Sequence, residues 1–186
     1  MRLFLIILLY VFIGLLSYSQ LSGCTTINIG KIKPEYEGVE PRVEKLVNEY
    51  KELAKLNGIN FTKIVTIGFK KIKQEYVVGL TTYGNNFREI DLDQKYWSGA
   101  TSMNKLALVF HELTHAYCYR EHDWGTPSIA YPQNEEDREK EYKKRIGYHE
   151  DGCSLSIMHP IIVSDKCMKE HYSEYIKEMF QRCIPY

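Results

Sequence analysis

Residues 111–115 read His-Glu-Leu-Thr-His and follow an apolar run, Leu106-Ala107-Leu108-Val109-Phe110, that favours a helix. On a helix, positions i and i+4 share one face about one turn apart, so His111 and His115 can aim both imidazoles at a single ion. Glu112 stands beside them, within reach of a water at that ion. Leu106, Val109, Phe110, Leu113 and Ala116 recur at spacings of three and four, which gives the helix a buried face. Ser102 is expected to cap its start. A polar surface pair is the bland alternative. An interior helix with two imidazoles and a carboxylate needs something to satisfy them, and Zn2+ is the expected partner.

The chain start points to export. Arg2 is followed by an almost wholly apolar stretch over residues 3–16, too short to span a bilayer comfortably but right for the core of a secretory signal. It ends in Leu21-Ser22-Gly23-Cys24, which resembles a bacterial lipobox. Cys24 is therefore the expected lipidation site and first mature residue, after a signal peptide over residues 1–23. The lipid would hold the protein on a membrane surface without spanning it. Thr25, where an inner-membrane retention signal would place Asp, suggests the outer membrane of a cell envelope.

Removing Arg2, the one charge before Cys24, leaves 23 basic against 24 acidic residues. That balance gives no footprint for nucleic acid, and none is expected as a partner. Roughly 160 residues remain, enough for one core and too few for two comfortable ones, and a monomer is expected. Four cysteines remain, Cys118, Cys153, Cys167 and Cys183, and an oxidising compartment invites two disulfides. The pairing is not readable from sequence; Cys118 with Cys153 is the first expectation, with buried thiols as the alternative.

Along the mature chain, residues 24–40 read as a polar tether and 41–186 as one domain. Pro41 starts a helix through Val43, Val47, Tyr50 and Ala54 that stops at Asn57-Gly58. Strands are expected over 64–69, within 75–83, and over 87–93. Tyr96-Trp97-Ser98-Gly99 leads into the histidine helix. The charged stretch 134–145 reads as a solvated loop or surface helix. Ser164-Asp165 can cap a terminal helix through Met168, Tyr172, Ile176, Met179 and Phe180.

A catalytic zinc takes three protein ligands and keeps one position for water. His122 is the nearest further imidazole. On an unbroken helix it would lie about 10 Å beyond His115, far outside a ~2 Å bond, so the helix must break near residues 118–120. Glu121, His149 and Asp151 are the alternatives.

Downstream stands Gly152-Cys153-Ser154-Leu155-Ser156-Ile157-Met158-His159-Pro160. With His111-Glu112-x-x-His115 and a third histidine past a helix break, its Ser-Ile-Met-His-Pro segment resembles the Met-turn of the metzincin zinc endopeptidases. It is also similar to small metzincin-like peptidases of bacteria and phages. The resemblance spans roughly residues 60–180, though only the two motifs are specific. It implies an α+β fold with a small twisted, mostly parallel sheet and an antiparallel edge strand. That sheet would pack on the zinc-site helix and an N-terminal helix, with a C-terminal helix after the Met-turn. It implies too that Met158 is structural and that extended peptide pairs with an edge strand, for which residues 77–90 are rightly placed.

The chain departs from that pattern. Metzincins place Gly three residues after the second His and the third His three beyond it, where this chain has Cys118 and Glu121. Either the break carries a one-residue insertion, or Glu121 replaces the histidine. Pro160 occupies the place where astacins carry an assisting Tyr; His159 either faces the site or caps the turn. Asp123 and Asp151 are candidates to orient imidazoles. The expected function is a lipid-anchored zinc endopeptidase with Glu112 as general base and acid, acting on peptides or proteins. A non-catalytic zinc lipoprotein and a hydrolase of cell-wall peptides are the alternatives.

Overall fold

The computed structural model describes residues 34–74, 76–123 and 147–183. The signal segment, Cys24 and the charged stretch 134–145 lie outside the described residues. Helix α1, Pro41–Leu56, begins with proline in its first turn, where the missing N–H costs nothing. It buries Val43, Val47, Tyr50 and Ala54 along one stripe. Strands β1 (Ile64–Lys70), β2 (Gly79–Tyr83) and β3 (Phe87–Asp93) form one sheet in the order β1-β3-β2. β3 is central, parallel to β1 and antiparallel to β2. The expected α+β class holds, with a mixed sheet of one parallel and one antiparallel pair in place of a mostly parallel one.

Helix α2, Gln94–Gly99, was not expected; Asp93 caps it by accepting from the Tyr96 N–H at 2.7 Å. Helix α3, Ser102–Cys118, is the histidine helix. Its cap is Thr101, whose hydroxyl oxygen accepts from the Asn104 N–H; Ser102 is the first helical residue, one place inside the expected cap. The terminal helix is two helices, α4 (Asp165–Glu170) and α5 (Tyr172–Gln181), broken at His171. Ser164 caps the first as expected.

Val65, Ile67, Ile90 and Leu92 join α1, α3 and α5 in one core. Tyr50 is its hub, edge-on to Phe110, stacked near Tyr117, and with its hydroxyl 3.2 Å from Thr114 Oγ1. Successive strand residues alternate faces. Glu89 and Asp91 therefore face away from this core, yet both are buried. Residues 35–40, expected as tether, cover them. Val39 bridges to Ile67, Tyr36 donates to Asp91 Oδ1 at 2.8 Å, and the Tyr36 ring fills the space a side chain at Gly68 would need. The globular unit thus begins ahead of Pro41.

Two disulfides tie the second half together, Cys118–Cys183 and Cys153–Cys167. The expected Cys118–Cys153 pair is replaced. Cys118 ends α3 beside the C-terminus of α5, whereas Cys153 sits in a turn against α4.

Candidate metal centre

Helix α3 stops where its carbonyls are taken over by a bend. Tyr119 adopts the left-handed conformation at φ 53°, and its N–H donates to the His115 carbonyl at 3.1 Å. This is the geometry a glycine usually supplies at a helix end. Cys118 is still helical, so the break comes one residue later than in the metzincin pattern, and His122 follows three residues after it. Glu121 is exposed. Of the two residues weighed at this place, His122 and not Glu121 stands with His111 and His115.

The bend returns His122 to the helix face. His111 Nε2 lies 3.1 Å from His115 Nε2 and 3.1 Å from His122 Nε2, and the last two are 3.2 Å apart. Three nitrogens bound to tetrahedral zinc at ~2.0–2.1 Å stand about 3.3–3.4 Å apart, so this triangle is close to ligand spacing. The far side of two rings is pinned. His111 Nδ1–H donates to the Ile157 carbonyl at 2.8 Å, and His115 Nδ1–H donates to the Arg120 carbonyl. Those bonds fix the tautomer that leaves Nε2 as a lone pair directed inward. Burial pushes the His111 imidazole down to about 4, His122 down to about 3, and His115 well below its ordinary value. Neutral imidazoles with converging lone pairs suit a divalent cation.

Glu112, the residue after His111 on the same helix, is fully buried. Thr81 Oγ1 donates to Glu112 Oε2 at 2.7 Å. A Cβ placed on Gly79 would come within 2.2 Å of Glu112 Oε1, so only glycine leaves the carboxylate its place. Tyr83, on the same face of β2, donates to the His115 carbonyl at 2.9 Å. None of these three residues is singled out by sequence reasoning. A Gly that opens a strand rich in Thr and Tyr is the trace they leave in the sequence.

Met158 is fully buried in its turn. Its N–H donates to Ser156 Oγ at 3.0 Å, and its carbonyl accepts from the Asp123 N–H at 3.2 Å. The Met segment and the His122 loop are thereby joined. His159 caps this turn, its Nδ1 accepting from the Ile161 N–H at 3.0 Å, while its Nε2 meets Tyr148 Oη at 3.1 Å.

Neither aspartate orients an imidazole of the triangle. Asp123 pairs with Arg120, and Asp151 with His171. The backbone carbonyls of Ile157 and Arg120 take that part. His149 is no third ligand to the triangle either; it lies with His171 and Glu174 in a separate group. There the two rings stack at 3.6 Å and 9°, so their in-plane lone pairs run parallel instead of converging. Among the described residues, the triangle is the histidine group whose ring nitrogens converge on one point.

No family model, no curated protein and no solved structure matches the chain.

Proposed function

We propose that the protein is a zinc-dependent endopeptidase in which His111, His115 and His122 hold the metal and Glu112 is the general base and acid. The observation that supports this most is the triangle of Nε2 atoms at 3.1–3.2 Å with a buried carboxylate on the adjacent residue. When bound there, zinc lowers the pKa of water toward neutrality and polarises a carbonyl. Glu112 accepts the proton of the attacking water and returns it to the departing amine, so no proton is gained or lost over the cycle. The carbonyls of Ile157 and Arg120 keep the imidazoles from turning as charge changes around them.

The outer edge of β2 supports a peptide substrate. Among the described residues no strand pairs with that edge, and an extended chain can add to it by backbone hydrogen bonds. The metzincin resemblance belongs with this reading; the mixed sheet with its antiparallel edge strand is compatible with it.

Incubation of the zinc-loaded protein with casein and with peptidoglycan fragments separates a protein substrate from a cell-wall one. Glu112→Gln is expected to retain zinc and abolish cleavage of either. A variant with full activity removes Glu112 from the chemistry. A non-catalytic zinc site is the second reading, favoured by the burial of His111, Glu112 and His115 at 1% exposure or less. It gains if a fourth protein ligand closes the coordination sphere.

We also propose that the chain is a lipoprotein of the cell envelope, held through Cys24. No helix among the described residues is long and apolar enough to cross a membrane. Labelling with a radioactive fatty acid should mark the wild type and not Cys24→Ser.

A further inference from the structure

Strand β2 does two things at once. Its ladder to β3 fixes which of its amides point outward. Asp93 N–H donates to the Val78 carbonyl at 2.9 Å and Gly84 N–H to the Phe87 carbonyl at 3.1 Å. Hydrogen-bonded and non-hydrogen-bonded pairs alternate along an antiparallel ladder. With Gly79 opposite Leu92, Thr81 opposite Ile90 and Tyr83 opposite Arg88, residues 78, 80, 82 and 84 turn their amides to β3. Gly79, Thr81 and Tyr83 turn theirs to the outer edge. These three also meet α3 on their side-chain face: Gly79 makes room for Glu112, Thr81 bonds it, and Tyr83 bonds the His115 carbonyl.

We propose that Gly79 and Thr81 form a cradle that positions Glu112, so that the strand whose outward amides receive a peptide also aims the base that acts on it. The proposal rests on the peptidase reading given above. Thr81 is a positioning residue. Its hydroxyl holds one carboxylate oxygen at 2.7 Å, and the bare Cα of Gly79 lets the other oxygen approach where any side chain would displace it. A peptide seated on the backbone of residues 79 and 81 is thereby registered against Glu112 through one short length of strand. Docking and base placement share the same atoms of support.

The test compares Thr81→Val, Thr81→Ser and Gly79→Ala with the wild type, all zinc-loaded. Readouts are metal content, kcat, KM and the Glu112 side-chain position in crystals. Thr81→Val keeps the shape and removes the hydroxyl. Expected is a fall in kcat of about 10- to 100-fold with KM and zinc content unchanged, the loss of one hydrogen bond to a charged group. Thr81→Ser should recover most of that loss. Gly79→Ala should push Glu112 out of the cradle and lose kcat while keeping zinc, by a route independent of the hydroxyl. Full kcat in Thr81→Val, or Glu112 unmoved in both the Val and Ala variants, overturns the proposal. A wild type that cleaves no peptide overturns the peptidase reading instead, and the crystallographic Glu112 positions then decide the cradle on their own.

Discussion

Arg120 Nη2 stands 2.7 Å from Glu178 Oε1, which joins the loop carrying His122 to helix α5. The same guanidinium reaches Asp123 Oδ2 at 2.9 Å and Ser156 Oγ at 3.4 Å, and Ser156 Oγ in turn accepts from the Met158 N–H. One buried cation therefore holds the third ligand loop, the Met turn and the C-terminal helix. Arg120→Met is expected to destabilise the fold by about 3 kcal/mol, because it leaves partly buried carboxylates without their counter-charge. Zinc affinity should fall with it, although no ligand is touched. Urea denaturation and competition with a chromophoric chelator measure the two effects.

The disulfides differ in what they should contribute. Cys118–Cys183 closes a separation of 65 residues and Cys153–Cys167 one of 14. Loop-closure entropy assigns about 4 kcal/mol to the first and about 3 kcal/mol to the second. Replacing Cys118 and Cys183 by Ser should thus lower the urea midpoint more than replacing Cys153 and Cys167. Peptide mapping without reduction should recover both cross-linked pairs, and recovery of a Cys118–Cys153 peptide would overturn the pairing.

His171 supplies a pH dependence of known sign. Its bond to the Asp151 carboxylate, with Glu174 adding to it, raises the imidazole above its ordinary value. A group with a raised folded pKa contributes stability that is full below its unfolded value, near 6.5, and is lost as pH climbs through the folded one. Asp151 is held well below the usual carboxylate range, first by the Cys153 N–H and then by His171. Its contribution is present above about 4 and is lost as pH falls through the depressed value. His171→Asn should therefore destabilise more at pH 6 than at pH 8.5. Thermal melts of both proteins across that range check it, and an equal difference at the two ends would contradict the assignment.

Met158 is expected to act through packing. Met158→Ala should cost about 2–5 kcal/mol for the cavity, and Met158→Leu less than about 1.5 kcal/mol, with zinc retained in the latter. Calorimetry with metal analysis separates these outcomes.

The helix bearing His111, Glu112 and His115 is legible because a period of 3.6 places them on one face and the apolar residues beneath them. Strand β1 is legible as a mostly apolar run, and β3 as an alternation of Phe87, Ile90 and Leu92 with charged residues. His122 is legible only as the nearest further imidazole, and counting then requires a helix break near residues 118–120. That Tyr119 is the residue that turns has no sequence sign, because a non-glycine residue takes the left-handed conformation only where its surroundings hold it there. Thr81 and Gly79 stay hidden for a different reason. Whether they meet Glu112 depends on how the sheet sits against α3, a tertiary register that periodicity does not carry. The same applies to the cysteines, whose pairing is set by where the ends of α3 and α5 come together. The break at His171 escapes notice because apolar spacing runs through it.

The most direct test is X-ray absorption at the zinc edge on the zinc-loaded protein. Expected are three imidazole nitrogens at ~2.0–2.1 Å and one further oxygen from solvent, with the histidine signal reduced by His122→Ala. Protein that takes up no stoichiometric zinc, or a centre closed by four protein ligands, would contradict a hydrolytic metal site on α3.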